Sequence, residues 1–168
     1  SGGNLDDRMY AVVAKLKCPY ILMHMQGAPA NMQKNPSYTH VTQDIVKFFS
    51  ERLPKLHDMG IHDTIVDVGF GFGKTVEHNY QLLRELHAFQ LLGRPILSGI
   101  SRKSMIYNVL RNTAENSLNG TTALHMAALL QGSNILRVHD VKEAMETITL
   151  FTQLMPEGIN HLLQPWER

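Results

Sequence analysis

Cysteine is almost missing from this sequence. Cys18 stands alone among 168 residues, which excludes an internal disulfide and a cysteine-built metal centre. Cys18 is expected to pack as a small buried apolar residue. An excess of either charge is missing too. Sixteen Lys and Arg against fifteen Asp and Glu leave a formal net charge of +1, with both signs interspersed along the chain. That balance argues against a nucleic-acid or membrane-surface partner. No apolar run approaches the roughly 20 residues of a membrane span, and no leader-like segment opens the sequence. A cytoplasmic location is therefore the expectation. The nine histidines are scattered, with no H-E-x-x-H or H-x-x-x-H pair, so no protein-built metal site is expected.

Apolar residues make up 43% of the chain, enough for the core of one domain. Their spacing predicts a helix over Leu5 to Lys17 with Met9, Val12, Val13 and Leu16 on one side. A strand follows over Tyr20 to Met25, then a proline-bearing loop from Gln26 to Tyr38. A helix from Val41 to Met59 should kink or break at Pro54. Thr64 to Val68 reads as a strand and Val76 to Leu92 as a helix. Pro95 to Ile100 reads as a strand, and a helix starts at Ser101. Leu118 to Gln131 is a helix closed by Gly132, Asn134 to Val138 a strand, and Val141 to Leu154 the last helix. The expected architecture is α/β, four parallel βα units preceded by a helix. It fits a small doubly wound sheet or the C-terminal half of a (β/α)8 TIM barrel. The opening Ser1-Gly2-Gly3, like a loop leaving an earlier strand, favours the half-barrel. Residues 1–154 then form one partial barrel domain, and 155–168 an irregular C-terminal tail.

Chemistry gathers where the strands end. After Thr64-Ile65-Val66 comes Asp67-Val68-Gly69-Phe70-Gly71-Phe72-Gly73-Lys74-Thr75. A phosphate-cradling loop needs G-x-x-x-x-G-K-[ST], but Val68 stands where its first glycine belongs. The dinucleotide pattern G-x-G-x-x-G fails at Lys74. What remains is a carboxylate at a strand tip and glycines that let backbone approach a ligand. At the next strand, Gly99, Ser101 and Lys103 align if the extended geometry persists, with Ser101 as a helix cap or an anion contact. Arg102 and Lys103 would otherwise point to solvent. At the last strand, Arg137 and His139 share a face and suit a phosphate-rich ligand, with Asp140 as a helix N-cap. Met23 or Met25 could floor a flat ring. Asp67 could accept two parallel hydrogen bonds from an amino and ring N–H edge.

Four segments together resemble the dihydropteroate synthase family: Met23-His24-Met25-Gln26-Gly27, Asp67 to Lys74, Gly99 to Ile106, and Arg137-Val138-His139-Asp140. The resemblance implies a pterin-binding (β/α)8 barrel, this chain carrying strands five to eight. It implies condensation of 6-hydroxymethyl-7,8-dihydropterin diphosphate with p-aminobenzoate, giving dihydropteroate and diphosphate in folate biosynthesis. It also implies a sulfonamide target that is a homodimer when full length. Asp67 would take the aminopyrimidine edge, Lys103 the other side of the pterin, and Met23, Phe72 and Gly99 the walls of its slot. Ser104, with Ser101 nearby, would receive the p-aminobenzoate carboxylate. Arg137 and His139 would hold the diphosphate, and Lys103, Arg137 and His139 would be catalytic. Mg2+ would bind through the substrate diphosphate and residues outside this chain. The family usually has Pro where this chain has Val68, which should loosen the turn slightly. The first strands, two mobile loops and a second pterin-contacting Asp would lie upstream of Ser1, so the chain alone should not turn over. The alternative is a non-catalytic pterin-binding module or partner half-barrel.

Overall fold

The computed structural model describes residues 3, 5–27, 32 and 36–155. Most of the Gln26 to Tyr38 loop and all but Met155 of the tail lie outside the described residues. The chain runs α1 (Met9–Leu16), β1 (Tyr20–Met23), α2 (Val41–Asp58), β2 (Thr64–Asp67), α3 (Val76–Arg84) and a 3-10 helix (Leu86–Leu92). It continues with β3 (Ile96–Ser98), α4 (Ser104–Leu110), α5 (Leu118–Leu130), β4 (Ile135–Leu136) and α6 (Val141–Leu154). The four strands are parallel and lie in the order β1-β2-β3-β4. Consecutive order without a reversal is the arc of a barrel. A doubly wound sheet reverses its strand order part-way.

Strand side chains alternate between faces. On the helix-covered face, Leu22, Val66, Val68, Ile96 and Ile100 are buried against Ile45, Phe49, Leu82, Leu86 and Phe89 of the surrounding helices. Each such side chain contributes about 1.5–3 kcal/mol relative to exposure. The other face is the concave inside of the arc. The register aligns Met23 with Asp67, and Asp67 with Leu97. Ile21 on that face is 48% exposed, because the arc is open there.

Several local expectations are corrected. α2 runs through Pro54 unbroken, and Leu53 and Leu56 on either side of it are both buried. Packing of that apolar face outweighs the backbone hydrogen bond that proline forgoes. The predicted Val76–Leu92 helix changes at Glu85 from α to a 3-10 segment. Of the four residues expected on one side of α1, Val13 is buried, whereas Met9, Val12 and Leu16 are exposed. Cys18 is exposed rather than buried, since it follows Lys17, whose left-handed conformation ends α1 and turns the chain outward. No helix among the described residues is long and apolar enough to cross a membrane.

Candidate functional site

The C-terminal ends of the four strands form one rim, the place where open and closed parallel sheets present ligand-binding groups. Its centre is the turn that follows β2. Asp67 is 6% exposed, and its Oδ1 accepts the Gly69 N–H at 2.8 Å. Among the described residues its second oxygen has no hydrogen bond. Burial pushes the Asp67 carboxyl above its usual range, against the lowering effects of the Gly69 N–H, Lys103, Arg137 and Lys74. Gly69, Gly71 and Gly73 all have positive φ, which side-chain-bearing residues rarely adopt. A Cβ on Gly69 would also run into the His24 carbonyl oxygen. The turn is braced from below. Asn79 Oδ1 accepts from Gly71 N–H at 2.7 Å, and Tyr38 Oη donates to the Gly73 carbonyl at 2.8 Å.

Two lysines meet this turn. Lys74 is 4% exposed and donates to Gly69 O at 2.9 Å and Phe72 O at 3.0 Å. Its Nζ also lies 3.0 Å from His24 Nδ1. Burial pulls the Lys74 ammonium down to about 7. It pulls His24 down to about 3, with Lys74 and Arg52 adding to the effect. Lys103 comes from the end of β3. Its Nζ donates to the Phe70 carbonyl and sits 4.5 Å from the centre of the Phe72 ring. Burial lowers Lys103 to about 8 even though Asp67 opposes the shift.

The expected alignment of Gly99, Ser101 and Lys103 is not what forms. β3 ends at Ser98, and Arg102 takes a left-handed conformation at φ 54°. α4 therefore begins at Ser104, with Lys103 in the cap position and no side-chain cap bond. Ser101 does not cap the helix. Its buried hydroxyl accepts from His139 N–H at 3.2 Å and lies 2.9 Å from His139 Nδ1. Arg102 does not point to solvent either. Its guanidinium grips Asp140 with bonds of 2.9 and 2.6 Å, while its backbone N–H is held by Thr121. Asp140 stands at the start of α6 but makes no side-chain cap bond, because both of its oxygens are taken by Arg102.

Arg137 and His139 extend past β4 and are both exposed. The Arg137 backbone N–H donates to Ser98 O. Its guanidinium lies against Gly99, where an added Cβ would approach Nε to 3.2 Å. Among the described residues no hydrogen bond or ion pair engages that guanidinium. An arginine buried without a partner would be costly; Arg137 escapes that cost because it is exposed. Met23 and Phe72 are half-buried and Gly99 is buried, at the ends of β1, β2 and β3 on the same rim. Ser104, half-buried, opens α4 next to Lys103. Sequence reasoning missed Lys74, His24, Asn79 and the Arg102–Asp140 pair as shapers of this rim. A lysine immediately after three alternating glycines was the one visible signal.

The chain matches the pterin-binding enzymes over residues 1–139. It belongs to that family. It is 44% identical over 139 residues to the dihydropteroate synthase of Haemophilus influenzae, covering 82% of this chain and 50% of that protein. It is 42% identical over 137 residues to that of Escherichia coli K12, covering 80% and 49%. Among solved structures, the Yersinia pestis dihydropteroate synthase in a sulfonamide drug complex superposes with a TM-score of 0.85 at 39% identity, covering 88% of this chain and 54% of that one. The Thermus thermophilus dihydropteroate synthase in complex with 4-aminobenzoate superposes at 0.86 and 33% identity, covering 92% and 63%. The chain spans about half the length of the curated relatives it matches, and its arc of four strands is the corresponding half of their TIM barrel.

Proposed function

We propose that this chain supplies the pterin and diphosphate half of a dihydropteroate synthase active site. The observation that carries the reading is the buried Asp67 carboxylate, with one oxygen uncommitted, on the same rim as the uncommitted Arg137 guanidinium. Asp67 accepts the amino and ring N–H edge of a pterin. Lys103 contacts the opposite side of the ring, and Met23, Phe72 and Gly99 wall the slot. Ser104, with Ser101 near it, faces the carboxylate of p-aminobenzoate. Arg137 and His139 hold the diphosphate.

Catalysis on this reading is positioning plus stabilisation of a leaving group. The bond from the pterin methylene carbon to the diphosphate oxygen breaks. Negative charge develops on that oxygen, and Arg137 takes it up through its planar fork of donors, with His139 beside it. The arylamine nitrogen then bonds to the methylene carbon and loses a proton. No side chain acts as nucleophile. Magnesium belongs to this chemistry by resemblance. Arg137 and His139 are anion partners, unlike the oxygen cage that a magnesium ion takes. The ion would arrive bound to the diphosphate and would add to the stabilisation of its charge. The longer protein, a homodimer in the cytoplasm, carries out turnover; the 168-residue chain binds without turning over.

Calorimetric titration of the 168-residue chain with 6-hydroxymethyl-7,8-dihydropterin diphosphate tests this reading. Binding that Asp67→Ala abolishes is the expected outcome. A folded parent chain that binds no pterin would contradict it, as would turnover by that chain at the rate of a full-length enzyme.

A further inference from the structure

Lys74 takes no part in the proposed chemistry, yet it is among the most deeply buried charged groups of the described residues. An ammonium group has three N–H donors. Here each has one acceptor: Gly69 O at 2.9 Å, Phe72 O at 3.0 Å and His24 Nδ1 at 3.0 Å. The two carbonyls are the two ends of the Gly69–Phe72 turn, which a backbone bond from Phe72 N–H to Gly69 O also closes. Between those ends, the Phe70 carbonyl and the Phe72 ring are the two groups that hold the Lys103 ammonium. The turn thus passes a constraint from one lysine to the other.

We propose that Lys74 is a positioning residue for Lys103: by tying both ends of the glycine turn to His24, it fixes the Phe70 carbonyl and the Phe72 ring on which Lys103 rests. Lys103's part in pterin contact rests on the proposed function, but its place in the turn does not.

The tie survives loss of a proton. His24 stays neutral, so its Nδ1 accepts when the ring proton is on Nε2. If Lys74 becomes an amine, its two remaining N–H groups still reach the carbonyls. Its lone pair then accepts from His24 in the other tautomer. The charged groups facing Lys74 are Asp67 and Lys103, with Arg52 behind His24. Lys74 titrates near 7 and Lys103 near 8. Lys103 faces Asp67 and Arg137, and its charge and that of Lys74 repel each other, so removing Lys74 takes away a like charge as well as the tie. His24→Phe, which keeps the lysine and removes one of its three acceptors, separates the two.

The test is a lysine side-chain NMR titration of the 168-residue chain, without substrate, in the parent, Lys74→Met and a surface control, Lys142→Met. Once the turn is released, Lys103 gains solvent. Its titration midpoint should rise from about 8 by more than one unit, toward the ordinary value of about 10.4. The control should not move it. An unchanged midpoint in a folded Lys74→Met chain overturns the proposal. His24→Phe is titrated beside it to separate geometry from charge, and it decides alone if Lys74→Met does not fold. It keeps the edge-on ring packing against Phe48, at 4.8 Å between centroids, and removes the third acceptor. A partial rise of the Lys103 midpoint supports the proposal, and no rise refutes it. Because no pterin is present, failure of the functional reading would leave this result standing.

Discussion

The rim has two ends built in opposite ways. The turn after β2 is closed upon itself: Asp67, Lys74 and Asn79 are all nearly inaccessible, and their polar atoms are largely spent on nearby backbone. The end of β4 is open. Arg137 and His139 are exposed, and no hydrogen bond or ion pair among the described residues engages the guanidinium. Buried polar networks hold one geometry because every broken bond strands a desolvated group. An exposed arginine holds its geometry until a ligand arrives only through its stem. The closed end suits recognition of a flat ring by a fixed edge. The open end suits an anion whose position shifts as a bond breaks.

The comparison can be broken most severely at the closed end. Gly69→Ala places a Cβ against the His24 carbonyl at a φ of +70°. A cost of at least about 2 kcal/mol in stability is expected, together with loss of detectable pterin binding. Urea unfolding and calorimetry on the same sample check both. An alanine chain with parental stability would show that the turn is soft.

Raising the pH separates the closed end from a neutral packing contact. Unfolded Lys74 keeps its proton until about 10.4, whereas the folded chain releases it near 7. Between those values the unfolded state binds more protons, so stability rises with pH. Lys103, lowered to about 8, adds in the same direction. From pH 7 to pH 9 the parent should gain stability over Lys74→Met by up to about 1.4 kcal/mol per pH unit. A constant gap between the two urea curves would refute the buried lysine account.

Asp67→Asn is gentler, since the side-chain oxygen can still accept the Gly69 N–H. It replaces the uncommitted carboxylate oxygen by a donor that repels the pterin N–H edge. Pterin affinity should fall about ten- to a hundredfold, the worth of a hydrogen bond to a charged group. The same change should lower the Lys103 midpoint, because Asp67 raises it. Affinity equal to the parent's would place the pterin elsewhere.

The two ends also differ in how far they could be read from sequence. Asp67 and the three glycines form a contiguous signal, a strand running into backbone that needs positive φ, and the structure keeps them together. The parallel βα layering could be read as well, since short apolar strands alternate with amphipathic helices, but that alternation alone left a doubly wound sheet and a half-barrel both open. Pro54 misled because a local propensity lost to the burial of Leu53 and Leu56. The Gly99 to Ser104 stretch and the cap role of Asp140 were misread, and at their centre one residue, Arg102, adopts a left-handed conformation that nothing in its side chain announces. That single dihedral angle turns Ser101 toward His139, sends Arg102 to Asp140 and moves the start of α4 to Ser104. Lys74 was hidden for another reason. Its acceptors are backbone carbonyls and a histidine 50 residues away, and carbonyl positions carry no sequence signature.

The most direct test of the account is a crossed titration. The parent, Asp67→Ala and Arg137→Ala chains would each be titrated with 6-hydroxymethyl-7,8-dihydropterin and, separately, with inorganic diphosphate. Two independently built ends predict that Asp67→Ala loses the pterin and keeps the diphosphate, while Arg137→Ala does the reverse. Loss of both ligands in either folded variant, or of neither in both, would contradict a rim divided in this way.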